Sequence, residues 1–294
     1  MILFHWNPDI VFLVIAHPDD ESMFFSPTLH SLLSSTSTST CTSLQQNLHI
    51  LCLSNGNYDN LGHVREKELI KAANGVFGIP VENIHIVNHL QMPDNPKQHW
   101  DPDLVANTIE DTMFQKTSPG FHSIDSSSSL TTKNCAKIAI LTFDEGGVSG
   151  HLNHVDTYRG VKHLLRRHDQ SQIHKQRLLQ HVQMHVEIRG YELQTIYFPL
   201  RKYLPPLDWM IVFIMSVLIL PCWRWCYSRF QYTSSPFSNL LICYCFQPLQ
   251  VWRAMEAHSS QFVWYRKLSV LWSRYTYVNT WKEIVLEENN TPSI

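Results

Sequence analysis

The chain has 294 residues, 44% of them hydrophobic, and a formal net charge of −2. That length suits one large domain or a domain with an appendage, and the near-neutral charge excludes a broad basic field for nucleic acid. The seven cysteines are odd in number and form no CxxC pair, so they read as reduced thiols in a cytosol-like compartment rather than a disulfide framework.

In chain order, Met1–Pro8 has neither the basic start nor the apolar core of a secretory signal. Val11–Ala16 is an unbroken β-branched and aliphatic run, the pattern of a strand buried on both faces of a parallel sheet. It ends in His17-Pro18-Asp19-Asp20-Glu21. Carboxylates do not stay unpaired in an apolar core. They therefore belong just past the strand's carboxyl end, the edge where open α/β sheets bind ligands. An imidazole and three carboxylates at that edge indicate metal or acid–base chemistry.

Ser31–Ser43 is rich in Ser and Thr and reads as a surface loop, as does Ser123–Thr132. Leu48–Leu53 and Ile84–Val87 are further expected strands, and Val64–Phe77 and Pro102–Phe114 show helical spacing of apolar residues. Lys137–Phe143 is another expected strand, followed by Asp144-Glu145-Gly-Gly147-Val-Ser-Gly150-His151-Leu-Asn153-His154. This second polar cluster reaches the same sheet edge. A helix is expected after Gly150, with His151 and His154 three residues apart on one face. Leu193–Phe198 reads as a strand. Strands alternating with helices predict an α/β fold: a Rossmann-like, mostly parallel sheet with flanking helices and right-handed crossovers.

The composition changes after Tyr203. Trp209–Trp223 carries no charge but falls short of the roughly 20 residues of a straight transmembrane helix. A short or hairpin span, interfacial helices and a soluble helical subdomain all remain open for it. Tryptophans and tyrosines interleaved with Arg and Lys through Trp281 suit a lipid interface. The expected division is a catalytic domain over 9–203, an apolar, membrane-associated insert over 204–253, and an aromatic and basic helical segment over 254–294.

Together the two clusters supply His17, Asp20 and His154, a two-imidazole, one-carboxylate set that suits catalytic zinc with one position left open. Bound zinc brings a water's pKa towards about 7 and polarises a carbonyl. Asp19 is then left as general base, and His151 as a positive or hydrogen-bonding partner for a developing oxyanion. No GxGxxG follows the first strand, so dinucleotide binding is not indicated.

Ala16-His-Pro-Asp-Asp-Glu21 with Ser-Met-Phe-Phe after it, and Gly147-Val-Ser-Gly-His-Leu-Asn-His154, resemble the PIG-L/LmbE-like de-N-acetylase family. The likeness is strongest to its eukaryotic branch in GPI-anchor synthesis. It extends to Cys52–Tyr58, Arg65–Leu69, Phe77–Pro80, Trp100-Asp101, Ser260–Lys267 and Ser273–Tyr275. The resemblance implies a divalent metal, usually zinc, held by His17, Asp20 and His154, with Asp19 as base and His151 as oxyanion stabiliser. It implies hydrolysis of the acetamide on GlcNAc linked to phosphatidylinositol, at the cytosolic face of the endoplasmic reticulum membrane. A de-N-acetylase of a soluble GlcNAc conjugate is the alternative within enzymes, and a non-catalytic membrane-bound interaction protein the alternative outside them. Arg65 matches a family position for substrate contact and either grips the phosphate or is an exposed helix arginine paired with Glu66 or Glu68; Asp94 either contacts sugar hydroxyls or is an ordinary turn residue. Glu21 and Asp144 are expected behind the ligands, Asp144 either orienting a ligand histidine or shaping its loop.

Overall fold

The computed structural model describes residues 8–33, 47–121, 135–178, 185–203, 240–244 and 247–286. Seven strands form one sheet in the order β3-β2-β1-β4-β5-β7-β6. They are β1 (Ile10–Ile15), β2 (Leu48–Cys52), β3 (Ile84–Ile86), β4 (Cys135–Phe143), β5 (His185–Leu193), β6 (Leu240–Tyr244) and β7 (Val278–Glu283). The first five pair in parallel, with Leu13 opposite Ile50 on one side and Leu141 on the other. β7 runs antiparallel to both β5 and β6.

The helices are α1 (Asp20–Met23), α2 (Ser26–Leu33), α3 (Gly62–Gly75), α4 (Pro102–Phe121), α5 (Leu152–Leu178), α6 (Pro199–Tyr203), α7 (Pro248–Ala257) and α8 (Trp264–Trp272). β1 and β2 are central and apolar because both of their faces are covered: every residue of either strand except Ile10 is buried. α4 and α5 pack against each other. Gly160 permits their close approach, since a Cβ there would stand 2.1 Å from Val105 Cγ1.

The chain winds outward from β1 in one direction through β2 and β3, and in the other through β4 and β5. The direction reverses between β1 and β4. Their carboxyl ends therefore flank an open crevice, the place where doubly wound sheets bind ligands. Both polar clusters identified in the sequence begin there.

The α/β reading holds, with changes towards the C-terminus. The strand expected at Leu193–Phe198 lies earlier, at His185–Leu193. It was obscured because Glu187 and Arg189 interrupt it, Arg189 pairing with both Glu187 and Glu283 of β7. The expected helical C-terminal region is mixed: α7 and α8 are helices, whereas β6 and β7 complete the sheet. Ser31–Leu33, expected as loop, ends α2. Trp209–Trp223 and the Ser/Thr tract at 123–132 lie outside the described residues. Among the described residues, no helix is long and apolar enough to cross a membrane.

Candidate active site

The loop after β1 is folded by its own carboxylates. Asp20 Oδ2 accepts from the backbone N–H groups of Ala16 (3.2 Å) and His17 (2.8 Å), and Glu21 Oε2 from that of Asp19 (3.1 Å). Asp20 opens α1, where a negative charge meets the unsatisfied N–H end of a helix. Asp19 caps it with φ 117°, an uncommon value for a residue with a side chain. The loop after β4 carries a second such residue, Val148 at φ 61°. Its N–H donates to Thr195 Oγ1 and its carbonyl accepts from Lys202 Nζ, both at 2.8 Å, which holds the turn in place.

The two loops bring His17, His151 and His154 together, with one nitrogen of each within 4.8 Å of the others. His154 Nδ1 is 2.9 Å from the carbonyl of Gly147 and its Nε2 is 3.2 Å from Asp20 Oδ1. A carbonyl can only accept, so Nδ1 carries a proton. Nε2 then meets a carboxylate oxygen, and a proton or a cation must lie between them. Burial opposes charge on His154, but Asp20 outweighs it and raises the histidine's pKa. Burial would likewise raise Asp20, yet His154 and His17 hold it well below the usual carboxylate range. His151 is pushed down to about 4 by burial and by the charges of His17 and His154, so it is neutral at physiological pH.

His17 is held at its rim by Asn153 Nδ2 (3.0 Å) and Asp94 Oδ1 (3.1 Å from Nε2). Asp94 therefore stands against a candidate ligand, on a turn pinned by the hydrogen bond from Trp100 Nε1 to the Pro93 carbonyl. Burial acts to raise Asp94, but His17 and Arg65 bring it below its ordinary value.

Arg65 is placed differently from the expectation of a bidentate grip on phosphate. Its Nη1 donates to the Gly56 carbonyl (3.0 Å) and to Asp94 (3.2 Å); its Nη2 donates to the Pro18 carbonyl (2.7 Å) and lies 3.4 Å from Asp19 Oδ1. The side chain is buried and both terminal nitrogens are engaged, so it braces the loop. Asp144 shapes its loop: it accepts from the N–H groups of Gly146 (3.1 Å) and Thr195 (2.6 Å) and from the Thr195 hydroxyl. The backbone of Gly147, rather than Asp144, orients His154. Glu21 is fully buried, with His258 Nε2 at 2.6 Å and the Ser22 hydroxyl at 2.6 Å.

Sequence reasoning missed three side chains here. Asn153 lay in plain view between the two histidines of the second cluster. His258 on Glu21 and Arg266 Nη1 on Asp19 Oδ2 arrive from the C-terminal segment, and only the Ser260–Lys267 resemblance touched that region.

The family model described as GlcNAc-PI de-N-acetylase, PIG-L, matches residues 12–165, from β1 into α5 and across both clusters. The chain belongs to the PIG-L family. Deacetylases of this family are metal-dependent, and His17, His151 and His154 form a group that could hold an ion. The chain is 34% identical over 268 residues to the N-acetylglucosaminyl-phosphatidylinositol de-N-acetylase of Bos taurus, covering 91% of this chain and 81% of that relative. It is 29% identical over 285 residues to the probable N-acetylglucosaminyl-phosphatidylinositol de-N-acetylase of Dictyostelium discoideum, with 93% of each covered. Among solved structures, the N,N'-diacetylchitobiose deacetylase of Pyrococcus horikoshii shares the PIG-L chain's fold. The TM-score is 0.51 at 12% identity, over 95% of this chain and 84% of that one.

Proposed function

We propose that the protein hydrolyses the acetamide of N-acetylglucosaminyl-phosphatidylinositol, releasing acetate and glucosaminyl-phosphatidylinositol in GPI-anchor biosynthesis. One observation carries the reading: at the switch point of the sheet, the loop after β1 carries buried Asp19 next to Asp20, whose Oδ1 lies 3.2 Å from His154 in a cluster of three histidines. The names of the Bos taurus and Dictyostelium discoideum relatives supply the substrate.

The donor set suits a divalent cation. His154 Nε2 and Asp20 Oδ1 are 3.2 Å apart, close to the separation of about 3.4 Å for two ligands on one tetrahedral ion. His17, Asp20 and His154 would hold it, and Zn²⁺ is an ion that two imidazoles and a carboxylate suit. Such an ion supplies an acidified water and a polarised acetamide carbonyl. Asp19 takes the proton from the attacking water and returns it to the departing sugar nitrogen. His151, neutral in this crevice, donates a hydrogen bond to the carbonyl oxygen as its charge grows. Arg65 and Asp94 hold the walls of the crevice, with Asp94 facing the sugar.

A lipid-linked substrate places the reaction at a membrane, which we assign to the cytosolic face of the endoplasmic reticulum. One stripe of α8 supports membrane contact: Trp264, Tyr265, Leu268, Leu271 and Trp272 are all exposed there, with Lys267 among them. Aromatic rings, aliphatic side chains and a cation are the composition of a lipid interface.

The test is release of acetate from N-acetylglucosaminyl-phosphatidylinositol in membranes, with and without a chelator. Asp19→Asn is expected to lower turnover by at least about 10³-fold while retaining bound metal. Near-normal turnover by Asp19→Asn would refute the base, and turnover only of a water-soluble GlcNAc conjugate would refute the substrate.

A further inference from the structure

Arg266 occupies the inner stripe of α8, opposite the exposed aromatic one, and in line with buried Val270. Its Nη1 donates to Asp19 Oδ2 and to Gln261 Oε1, the latter at 3.1 Å. Asp19 Oδ1 faces Arg65 at 3.4 Å, so the carboxylate is held between two guanidinium groups. The two cations are not equivalent. Arg65 is buried and fixed by two backbone carbonyls and Asp94, whereas the Arg266 side chain keeps 23% of its surface exposed.

A carboxylate oxygen that accepts from a guanidinium has one acceptor position fewer for a water's proton. The Arg266 contact therefore takes up one side of Asp19 Oδ2 in the free protein. Moving Arg266 to another anion would open that side of Asp19 fully. A phosphodiester is the anion best matched to a guanidinium fork, and it is the charged group of the substrate read above.

We infer that Arg266 recognises the substrate's phosphodiester and, by moving to it, frees Asp19 to act as base. Recognition of the lipid-linked phosphate and release of the base are then one event. A glycan without phosphate can enter the crevice but leaves Asp19 clamped. Arg65, with both terminal nitrogens committed, stays behind to orient the freed carboxylate. This rests on the proposed substrate, and it assigns phosphate recognition to a residue 247 positions from Asp19 in sequence.

The experiment compares wild type with Arg266→Gln and Arg266→Lys on two substrates: N-acetylglucosaminyl-phosphatidylinositol, and N-acetylglucosaminyl-inositol, which lacks the phosphate. In Arg266→Gln the KM for the phospholipid substrate should rise about 10- to 100-fold, the loss of one charge-assisted contact. Its kcat on the phosphate-free substrate should rise above wild type, because Asp19 is no longer held. Arg266→Lys should fall between the two. Added inorganic phosphate should stimulate wild type on the phosphate-free substrate and leave Arg266→Gln unaffected. The stimulation is read on wild type alone, so it decides the matter even if the variants fail to fold. Equal losses on both substrates, or no stimulation of wild type by phosphate, would overturn the inference. If wild type does not deacetylate the phospholipid at all, it is the substrate reading that fails, and the phosphate stimulation still reports on Arg266.

Discussion

Several titratable side chains among the described residues are shifted by burial and by the charges beside them. Glu21 is one such neighbouring charge. It has no exposed surface, and its companion His258 is raised in pKa because the charge of Glu21 outweighs the burial that would lower it. An ion pair of this sort adds little over a well-packed apolar pair, but it fixes which segment sits there. His49 shows the opposite balance. Its Nδ1 is 3.1 Å from His85 Nε2 and its ring stacks on Phe12, and burial followed by the charge of His85 pushes it down to about 4. The folded state thus binds a proton on His49 less readily than the unfolded chain does, so stability rises with pH across this window. The contribution is present above the unfolded value near 6.5 and is lost as pH falls towards 4. Wild type should lose about 2–3 kcal/mol of unfolding free energy from this source between pH 7 and pH 4.5. In urea titrations at the two pH values, His49→Leu should show a correspondingly smaller drop, and equal drops would remove His49 from the account.

At the level of elements, function is concentrated in the two connections after β1 and β4, and a third connection braces them. Gly56, between β2 and α3, sits at φ 72° with the Arg65 guanidinium against it: a Cβ there would lie 2.5 Å from Arg65 Cζ. Gly56→Ala therefore meets both backbone strain of about 1–2 kcal/mol and an arginine that has no room to give way. The expected result is a lower melting temperature together with reduced turnover, since Arg65 can no longer bridge Pro18, Asp19 and Asp94. Unchanged kinetics would show that this bridge is dispensable. The same connections explain what could be read in advance. β1 and β4 were visible because strands covered on both faces leave continuous apolar runs, and His17–Glu21 and His151–His154 were visible because each is contiguous. β5 and β7 lie towards the antiparallel side, where Glu187, Arg189 and Lys282 break the run, and the apolar run of β6 carries no sign of its pairing with β7. Arg266 and His258 were invisible for another reason. They reach Asp19 and Glu21 across 247 and 237 positions, and no local spacing encodes such a contact.

Across the whole molecule, the last strand is not at the edge of the sheet. β7 lies between β5 and β6, and it also ties down the N-terminal helix α2. Asn279 Oδ1 accepts from the Thr28 N–H (3.2 Å) and hydroxyl (2.7 Å), its Nδ2 donates to the Phe24 carbonyl (2.8 Å), and Trp281 Nε1 donates to Thr28 Oγ1 (2.8 Å). Asn279→Ala should cost about 2–4 kcal/mol, because it leaves several buried polar groups unsatisfied at once. Thermal denaturation would register this, and a shift no larger than that of an exposed substitution would mean the tie is incidental. β7 has a second consequence, which concerns the time at which the molecule is made. The ribosome produces Asp19 early and Arg266 247 residues later, an interval of about 12–50 s at roughly 5–20 residues per second. Through that interval Glu21 has no histidine, α2 has no anchor, and the apolar runs of β1 and β2 have no completed sheet around them. A nascent chain in this state exposes apolar strand runs, the kind of surface that chaperones cover.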